Sequence, residues 1–256
     1  MRFKTDAIFL FALLFGEIAF NGCNTNPIPQ AVSSLKVPGI KYTSYTGTVG
    51  SRTAVTLPDS SHIILNSTSM LEVPENYLQG NRAVILDGEA FFSVTPATDT
   101  FTVTTDKLKA TVLGTSFRMR SFANQHGATV YLLQGKMQVS KSYYSATDNA
   151  PEILERGQMI LANNEIDLME KETYQPGELE TWLSDTLRIQ EAAPVALPRI
   201  LEDWFGVEIE MQGDAAKAPP VSATFYHASL SEVLQRLSQY QHFKYKMSDN
   251  KAVIKF

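Results

Sequence analysis

Short segments in which apolar and polar residues alternate fill the middle of the chain and predict half-buried β-strands. One of them places apolar side chains at Ala90, Phe92 and Val94, with one residue between each pair. A period of two puts these side chains on the same face of a strand, where they point toward a core. Because this pattern recurs between turn signals, we expect a mainly β domain over residues 46–170.

Four glycines lie between these segments and predict turns. They follow one another at intervals of 26, 21 and 22 residues, at Gly88, Gly114, Gly135 and Gly157. Intervals of this length are typical of stacked supersecondary units. Stacked turns of β structure around a narrow apolar core would explain the spacing and the alternation together, and a compact sandwich is the main alternative.

The pattern changes after residue 170. Residues 171–183 are predicted to form a linker that ends in a short helix, and a strand is expected near Leu187 and Ile189. The next segment has apolar residues at the spacing of a helix, and Gly206 follows it in the position that ends a helix. The helical positions are Leu197, Ile200, Leu201, Trp204 and Phe205. With the alternating strand over residues 207–211, this segment is one β-α-β unit.

The same order recurs in the last part of the chain. A strand is predicted from Val221 to Phe225, and Ser229 and Glu232 have the spacing of a capping box, which marks the start of a helix. Two further strands follow that helix, the last of them over residues 252–256. Two β-α-β units therefore fill residues 184–256 and predict a small α+β domain.

The first residues of the chain have the composition of an export signal. Arg2 and Lys4 precede a mostly apolar run over residues 7–20. This run is shorter than the roughly 20 residues of a membrane-spanning helix. It ends before Cys23, the single cysteine, in a sequence that resembles a degenerate bacterial lipobox. We expect residues 1–22 to be a lipoprotein signal peptide and Cys23 to carry the lipid, with a plain signal peptide as the alternative.

Residues 23–45 contain several prolines and many polar residues without an apolar period. This composition predicts a tether between Cys23 and the β domain. An edge strand over residues 40–45 is the alternative for the last part of this segment.

Charge and composition argue against several functional classes. The net charge is −5 and no cluster of Lys or Arg goes beyond pairs, so the chain lacks the electrostatic footprint of a nucleic-acid-binding protein. The histidines have no metal-ligand spacing, and a single cysteine makes a structural zinc site implausible. These histidines are His62, His126, His227 and His242. We therefore expect no nucleic acid, metal or cofactor.

Two groups of residues have the residue types of a catalytic site. Asp87 and Glu89 flank Gly88 and would suit acid–base chemistry or a cation, but Asp in a tight turn commonly bonds to the backbone, so turn chemistry is favoured. Ser33 and Lys36 match the S-x-x-K motif of penicillin-binding enzymes, yet they lie in the predicted tether without a partner motif. We expect no catalytic residues, no enzyme activity and no small-molecule substrate.

Four segments of the β region together resemble the periplasmic domain of FecR-type regulators. They are LPDSSHIILNSTSML (57–71), RAVILDGEAFFSV (82–94), FTVTTDKLKATVLGTSF (101–117) and YLLQGKMQV (131–139). Family members usually have Gly at the position of Ser60, and Ser is tolerated in a type I turn after Pro58 and Asp59. The resemblance implies a β-solenoid or roll-like FecR domain.

The C-terminal units resemble the small signalling domain of secretins and TonB-dependent receptors. The strings LRIQEAAPVALPRILEDWFGVEIEM and ATFYHASLSEVLQRLSQYQHFKYKM carry this resemblance, which extends to the C-terminal domain of FecR-like proteins of Bacteroidetes type. Members of the transmembrane type begin with a cytoplasmic segment that holds a sigma factor, and a spanning helix follows. Neither has room before Cys23, so we expect this chain to regulate transcription only through another protein.

The resemblance implies a lipid-anchored periplasmic protein, on the outer or inner membrane of a Gram-negative bacterium, that acts by protein binding. The expected partner is the signalling domain of a TonB-dependent outer-membrane transducer or a membrane anti-sigma protein, with an indirect effect on an ECF sigma pathway. An envelope scaffold or adhesin component without a regulatory role is the alternative.

Exposed strand edges and Phe91, an aromatic residue that is either exposed or covered by a neighbour, are the candidate contacts with that partner. Edge strands offer unpaired N–H and C=O groups to an added strand. The candidate residues are Phe91, Val221, Ala223, Phe225, Ala252, Ile254 and Phe256.

Overall fold

A computed structural model describes residues 28–79, 82–248 and 251–256 of the chain. Cys23 and the predicted signal peptide lie outside the described residues. The segment expected to be a tether contains helix α1 (Ile28–Leu35), and strand β1 (Tyr42–Thr46) pairs with the β domain, as in the edge-strand alternative. No helix in the described ranges has the length and apolar character needed to cross a membrane.

The β domain contains thirteen strands in the part of the chain that the structure describes. After β1 they are β2 (Thr53–Thr56), β3 (His62–Leu65), β4 (Met70–Pro74), β5 (Arg82–Ser93), β6 (Phe101–Thr104), β7 (Leu108–Val112), β8 (Ser116–Ser121), β9 (Gly127–Gln134), β10 (Met137–Lys141), β11 (Glu152–Leu154), β12 (Gln158–Asn163) and β13 (Leu168–Thr173).

One long strand, β5, joins two sheets. Its first half pairs with β4 and β6, in a sheet that continues through β7 and β10 to β11. Its second half pairs with β3 and β8, in a sheet that continues through β9 and β12 to β13. All described pairs in this domain are antiparallel except β5 with β6. A solenoid stacks its strands in parallel, so these antiparallel ladders fit a roll-like domain, the second form that the family resemblance implies, better than a solenoid.

A single apolar core fills the space between the two sheets. The alternation predicted for β5 is confirmed on its inner face, where Val84, Leu86, Ala90 and Phe92 are buried. Phe92 stacks on Phe117 with ring centroids 4.9 Å apart. The outer face of the same strand is also buried: helix α1 contacts β5, and Phe91 packs against Leu179 and Trp182 of the linker.

The turn predicted at Gly88 is wrong. Residues 82–93 form one continuous strand, and Gly88 lies inside it with φ 126°, where the strand passes from one sheet to the other. A Cβ atom at this position would lie 2.6 Å from the Cα atom of Ser69, so only glycine fits. The other three glycines of the series do lie between strands.

The C-terminal domain begins after the linker helix. The linker helix is α2 (Pro176–Leu183), and the elements after it are β14 (Thr186–Ala192), α3 (Leu197–Phe205), β15 (Glu208–Gln212), β16 (Val221–Tyr226), α4 (Leu230–Gln241), β17 (Lys244–Ser248) and β18 (Lys251–Lys255). They follow the predicted order, but the strands of each β-α-β unit belong to different sheets: β14 pairs with β16, and β15, β18 and β17 form a second sheet in that order.

The signals predicted for the C-terminus of α3 and for the N-terminus of α4 are confirmed. Gly206 ends α3 in the left-handed conformation, with φ 63°. Ser229 and Glu232 form the capping box of α4: the Ser229 hydroxyl accepts from the Glu232 N–H, and the Glu232 carboxylate accepts from the Ser229 N–H. Both helices place their apolar residues in one core with the strands of this domain.

The expectation that residues 252–256 form an exposed edge is wrong. Strand β18 lies between β15, which pairs with it in parallel, and β17, which pairs with it antiparallel. Ala252 and Ile254 are fully buried, and the ring of Phe256 packs on Phe243 with centroids 5.3 Å apart. A strand paired on both sides has no edge to offer, so these three residues are excluded as a strand-addition site.

Candidate partner-binding site

The strand β16 has one unpaired edge, and that edge borders a groove. Within the described residues, β14 is its only strand partner. The groove has a volume of about 460 Å³ and is bounded by residues 219–225 on one side and by helix α4 on the other. Because consecutive residues of the strand line it, the main chain of β16 faces the groove.

The sequence around β16 explains why this edge stays accessible. Pro219 and Pro220 precede the strand, and proline lacks the N–H group that a further ladder would need. Val221 and Phe225 point into the core of the domain and are 4% exposed. Ser222 and Thr224 alternate with them and are exposed. Val221, Ala223 and Phe225 are among the residues predicted to bind a partner. In the structure their main chain borders the groove, while the side chains of Val221 and Phe225 hold the strand on the core.

The helical wall of the groove carries two groups suited to a peptide. Tyr240 is 79% exposed and offers a large amphipathic surface. Gln241 is buried, and its side-chain Oε1 atom has no hydrogen-bond partner among the described residues. Buried polar atoms are almost always satisfied. A main-chain N–H group in the groove would supply the missing donor.

Helix α4 is fixed to the β domain at its N-terminus. The N–H group of Leu230 donates to the carbonyl oxygen of Gly50, at 3.0 Å. The N–H group of Gly50 in turn donates to the Ser67 hydroxyl, at 2.8 Å. The groove wall is therefore connected to the β domain through the loop that contains Gly50.

Phe91, the remaining predicted contact, is covered rather than exposed. It is 7% exposed and packs against Leu179 and Trp182 of the linker helix α2. The rings of Phe91 and Trp182 lie 6.5 Å apart. The sequence left open whether a neighbour covers Phe91, and the linker helix is that neighbour.

A buried ion cluster lies beside Phe91, at the junction of the two domains. Glu89 is fully buried, and its carboxylate accepts hydrogen bonds from Arg118 and from Arg120, the latter at 3.2 Å. Burial alone would raise the pKa of Glu89, but the two guanidinium charges outweigh it and hold the pKa below its ordinary value. Glu89 is therefore a carboxylate in the folded protein.

The same carboxylate connects the β domain to helix α3. Its Oε2 atom accepts a hydrogen bond from the Asn66 amide, at 2.7 Å, and the same amide group donates to the carbonyl oxygen of Trp204, at 3.0 Å. The Thr68 hydroxyl donates to the carbonyl oxygen of Gly206, at 2.7 Å. The free carbonyls at the end of α3 are thus satisfied by side chains of the other domain.

Arg52 forms a second connection at this junction. Its guanidinium stacks on the rings of Trp182 and Trp204, at 3.9 and 4.8 Å from the ring centroids. It also donates to the Trp182 carbonyl oxygen and pairs with Asp185 at 3.1 Å. Burial lowers the pKa of Arg52 to about 10, so the group remains charged at neutral pH.

The expectation that Asp87 and Glu89 serve a turn is wrong for both. Asp87 lies in β5 and its Oδ1 atom accepts from the Ala123 N–H, at 2.8 Å; burial raises its pKa. Glu89 lies opposite Arg120 in the ladder between β5 and β8. The missed signal was the sequence Arg118-Met119-Arg120, which puts two cations on one face of a strand.

In the described ranges no three His, Cys, Asp or Glu side chains come together in a way that could hold a metal ion.

Comparison with known proteins agrees with this architecture. The model of the FecR protein family matches residues 43–140, and the model described as FecR, C-terminal, matches residues 197–254. Two crystal structures of a candidate anti-sigma factor from Parabacteroides distasonis ATCC 8503 have the same fold. Each is 22% identical to this chain; they superpose with TM-scores of 0.59 and 0.60, and cover 83% and 84% of this chain and 98% and 99% of their own. No curated protein matches the chain. The two matched domains and the shared fold show that this chain belongs to the FecR family.

Proposed function

We propose that this protein is a non-enzymatic signalling component that binds the small signalling domain of a TonB-dependent outer-membrane transducer. The partner adds a strand to the free edge of β16, in the groove beside helix α4. Membership of the FecR family supports a regulatory role. The observation that carries the proposal is the unpaired edge of β16 together with the unsatisfied Gln241 side chain in the same groove.

The effect on transcription is indirect in this proposal. The bound state is passed to an ECF sigma factor by a membrane anti-sigma protein. The buried junction around Glu89 and Arg52 supports this step, because a partner held by the C-terminal domain is then held rigidly against the β domain.

Binding of the transducer's signalling domain, measured by titration calorimetry, tests the groove. Tyr240→Glu places a charge on the groove wall, and we expect it to weaken binding at least about tenfold. Tyr144→Glu is the matched control, because Tyr144 is 90% exposed and lies in the β domain, outside the groove. Equal affinities of the two variants would contradict binding in the groove.

We further propose that Cys23 is acylated and holds the protein at a membrane in the periplasm. Several acyl chains anchor a protein stably, at about 0.8 kcal/mol for each buried CH₂ group. Metabolic labelling with a palmitate analogue should label the full-length chain, and Cys23→Ala should abolish the label and release the protein to the soluble fraction. Retention of the variant in the membrane fraction would refute this anchor.

A further inference from the structure

A second cavity borders β14, the strand that pairs with β16. It has a volume of about 330 Å³ and is lined by residues of both domains and of the linker. Arg118 comes from the β domain and Trp182 from the linker helix. Leu187 and Arg188 come from β14. Cavities at domain junctions are a preferred location of binding sites.

Half of the lining of this cavity is apolar or aromatic. Trp204 and Ile200 project from consecutive turns of α3 and are half-buried, and Leu187 is buried beside them. Trp182 is 1% exposed and forms a further wall. Tryptophan and arginine are the residues most enriched at the energetic centres of protein interfaces.

Two groups at this cavity have no hydrogen-bond or ion-pair partner among the described residues and are available to an anion. The indole Nε1 of Trp182 is a buried donor with no partner among the described residues. Arg188 is exposed and forms no ion pair with any residue that the structure describes. Arg118 is already bound to Glu89, yet it adds positive charge to the cavity. The one acid in the lining, Asp203, lies beside Arg199, with 3.8 Å between the charged groups.

We infer that this cavity binds a bulky apolar side chain of a partner protein together with a neighbouring carboxylate. The apolar group packs between Trp204 and Ile200, and the carboxylate pairs with Arg188. A volume of about 330 Å³ is at the lower end of small-molecule sites, which favours a single side chain over a larger ligand. This second contact is separate from strand addition at β16 and does not depend on it.

Nuclear magnetic resonance provides a specific readout, because the chain has only two tryptophans and therefore two indole N–H signals. The probe is the capped peptide acetyl-Ala-Asp-Phe-Asp-Ala-amide, titrated into the ¹⁵N-labelled protein. Trp204→Phe assigns the two signals. We expect the Trp182 indole signal to shift in a saturable manner with this peptide.

Two comparisons identify the carboxylate contact. Arg188→Glu and replacement of both Asp residues of the peptide by Asn should each weaken binding at least about tenfold, because a charge-assisted hydrogen bond is lost. Arg156→Glu is the matched control: it makes the same change in net charge at an exposed arginine of the β domain, and Arg156 does not line this cavity. Unfolding curves of both variants confirm that each is folded.

Three results would overturn the inference. The first is an unchanged Trp182 signal at millimolar peptide concentration. The second is equal peptide affinity of Arg188→Glu and Arg156→Glu. The third is tighter binding of free 3-phenylpropionate than of the peptide, which would assign the cavity to a small aromatic acid instead of a protein segment.

Discussion

Glu89 is a fully buried acid at the junction of the two domains. A carboxylate without solvent exposure is costly unless ion pairs and hydrogen bonds compensate for lost hydration. Here Arg118, Arg120 and the Asn66 amide supply them. The sequence showed an acidic residue beside Gly88, but its burial depends on strands that are about 30 residues apart in the chain. The local sequence pattern beside Gly88 therefore predicted that Glu89 lies in a turn.

Glu89→Ala tests the contribution of this ion cluster to stability. The variant leaves two partly buried guanidinium groups without their acid, so we expect a loss of about 3 kcal/mol in the free energy of unfolding. Urea denaturation measures it. Glu170→Ala removes an exposed acid from β13 and should change the free energy by less than about 0.5 kcal/mol.

The same residue predicts a pH dependence. The pKa of Glu89 lies below its ordinary value of 4.5 in the folded state. Its stabilising contribution is therefore complete above pH 4.5 and is lost as the pH falls through the folded-state pKa. The difference in unfolding free energy between the wild type and Glu89→Gln should shrink in that acidic range. A constant difference down to the acid-unfolding limit would argue against a buried carboxylate.

Ser60 occupies a position where members of the FecR family usually have glycine. It has φ 65°, in the left-handed region, between strands β2 and β3. This conformation costs a residue with a Cβ atom roughly 1–2 kcal/mol, and explains why glycine is usual at this position. The sequence analysis expected Ser60 to be tolerated in a type I turn after Pro58 and Asp59. The structure instead holds Ser60 in the strained left-handed conformation.

Ser60→Gly should therefore stabilise the protein by about 0.5 kcal/mol, because the relief of strain exceeds the added entropy of the unfolded chain. Thermal and urea unfolding measure the change. Ser231→Gly is the control of opposite sign, since Ser231 is exposed in helix α4, where glycine is unfavourable. Destabilisation by both substitutions would refute the strain at Ser60.

At the scale of elements, the sequence predicted which helices and strands form better than it predicted which strands pair with each other. Helices α3 and α4 and their caps followed from apolar spacing, Gly206 and the Ser229 capping box, all of which are local. The position of β18 between two neighbours could not be predicted, because its alternating residues suit an edge and a central strand equally. The need for glycine at position 88 could not be predicted either, because the atoms that crowd it belong to Ser69, in the connection between β3 and β4.

Gly88→Ala tests the close approach inside β5. A Cβ atom would meet Ser69 and would also be strained at φ 126°, so we expect a loss of at least about 3 kcal/mol. Gly157→Ala is the matched control, since φ is 82° there and no atom lies within 4 Å of the new Cβ. It should cost only about 1–2 kcal/mol. Similar losses in the two variants would show that packing against Ser69 is unimportant.

At the scale of the molecule, the β domain and the C-terminal domain share a polar and aromatic junction. Asn66, Arg52 and Thr68 reach across it to helix α3, the linker or the start of β14. The sequence predicted the order of the two domains, but it could not show that they pack on each other. The junction leaves the free edge of β16 and its groove exposed, and these form the surface that the proposed function needs.

Hydrogen exchange of the main-chain amides in the presence of the transducer's signalling domain tests the central claim most directly. Strand addition at the free edge predicts slower exchange of amides in residues 221–226, with smaller changes in helix α4 around Tyr240. Unchanged exchange in residues 221–226, with protection confined to another surface of a saturated complex, would contradict the account.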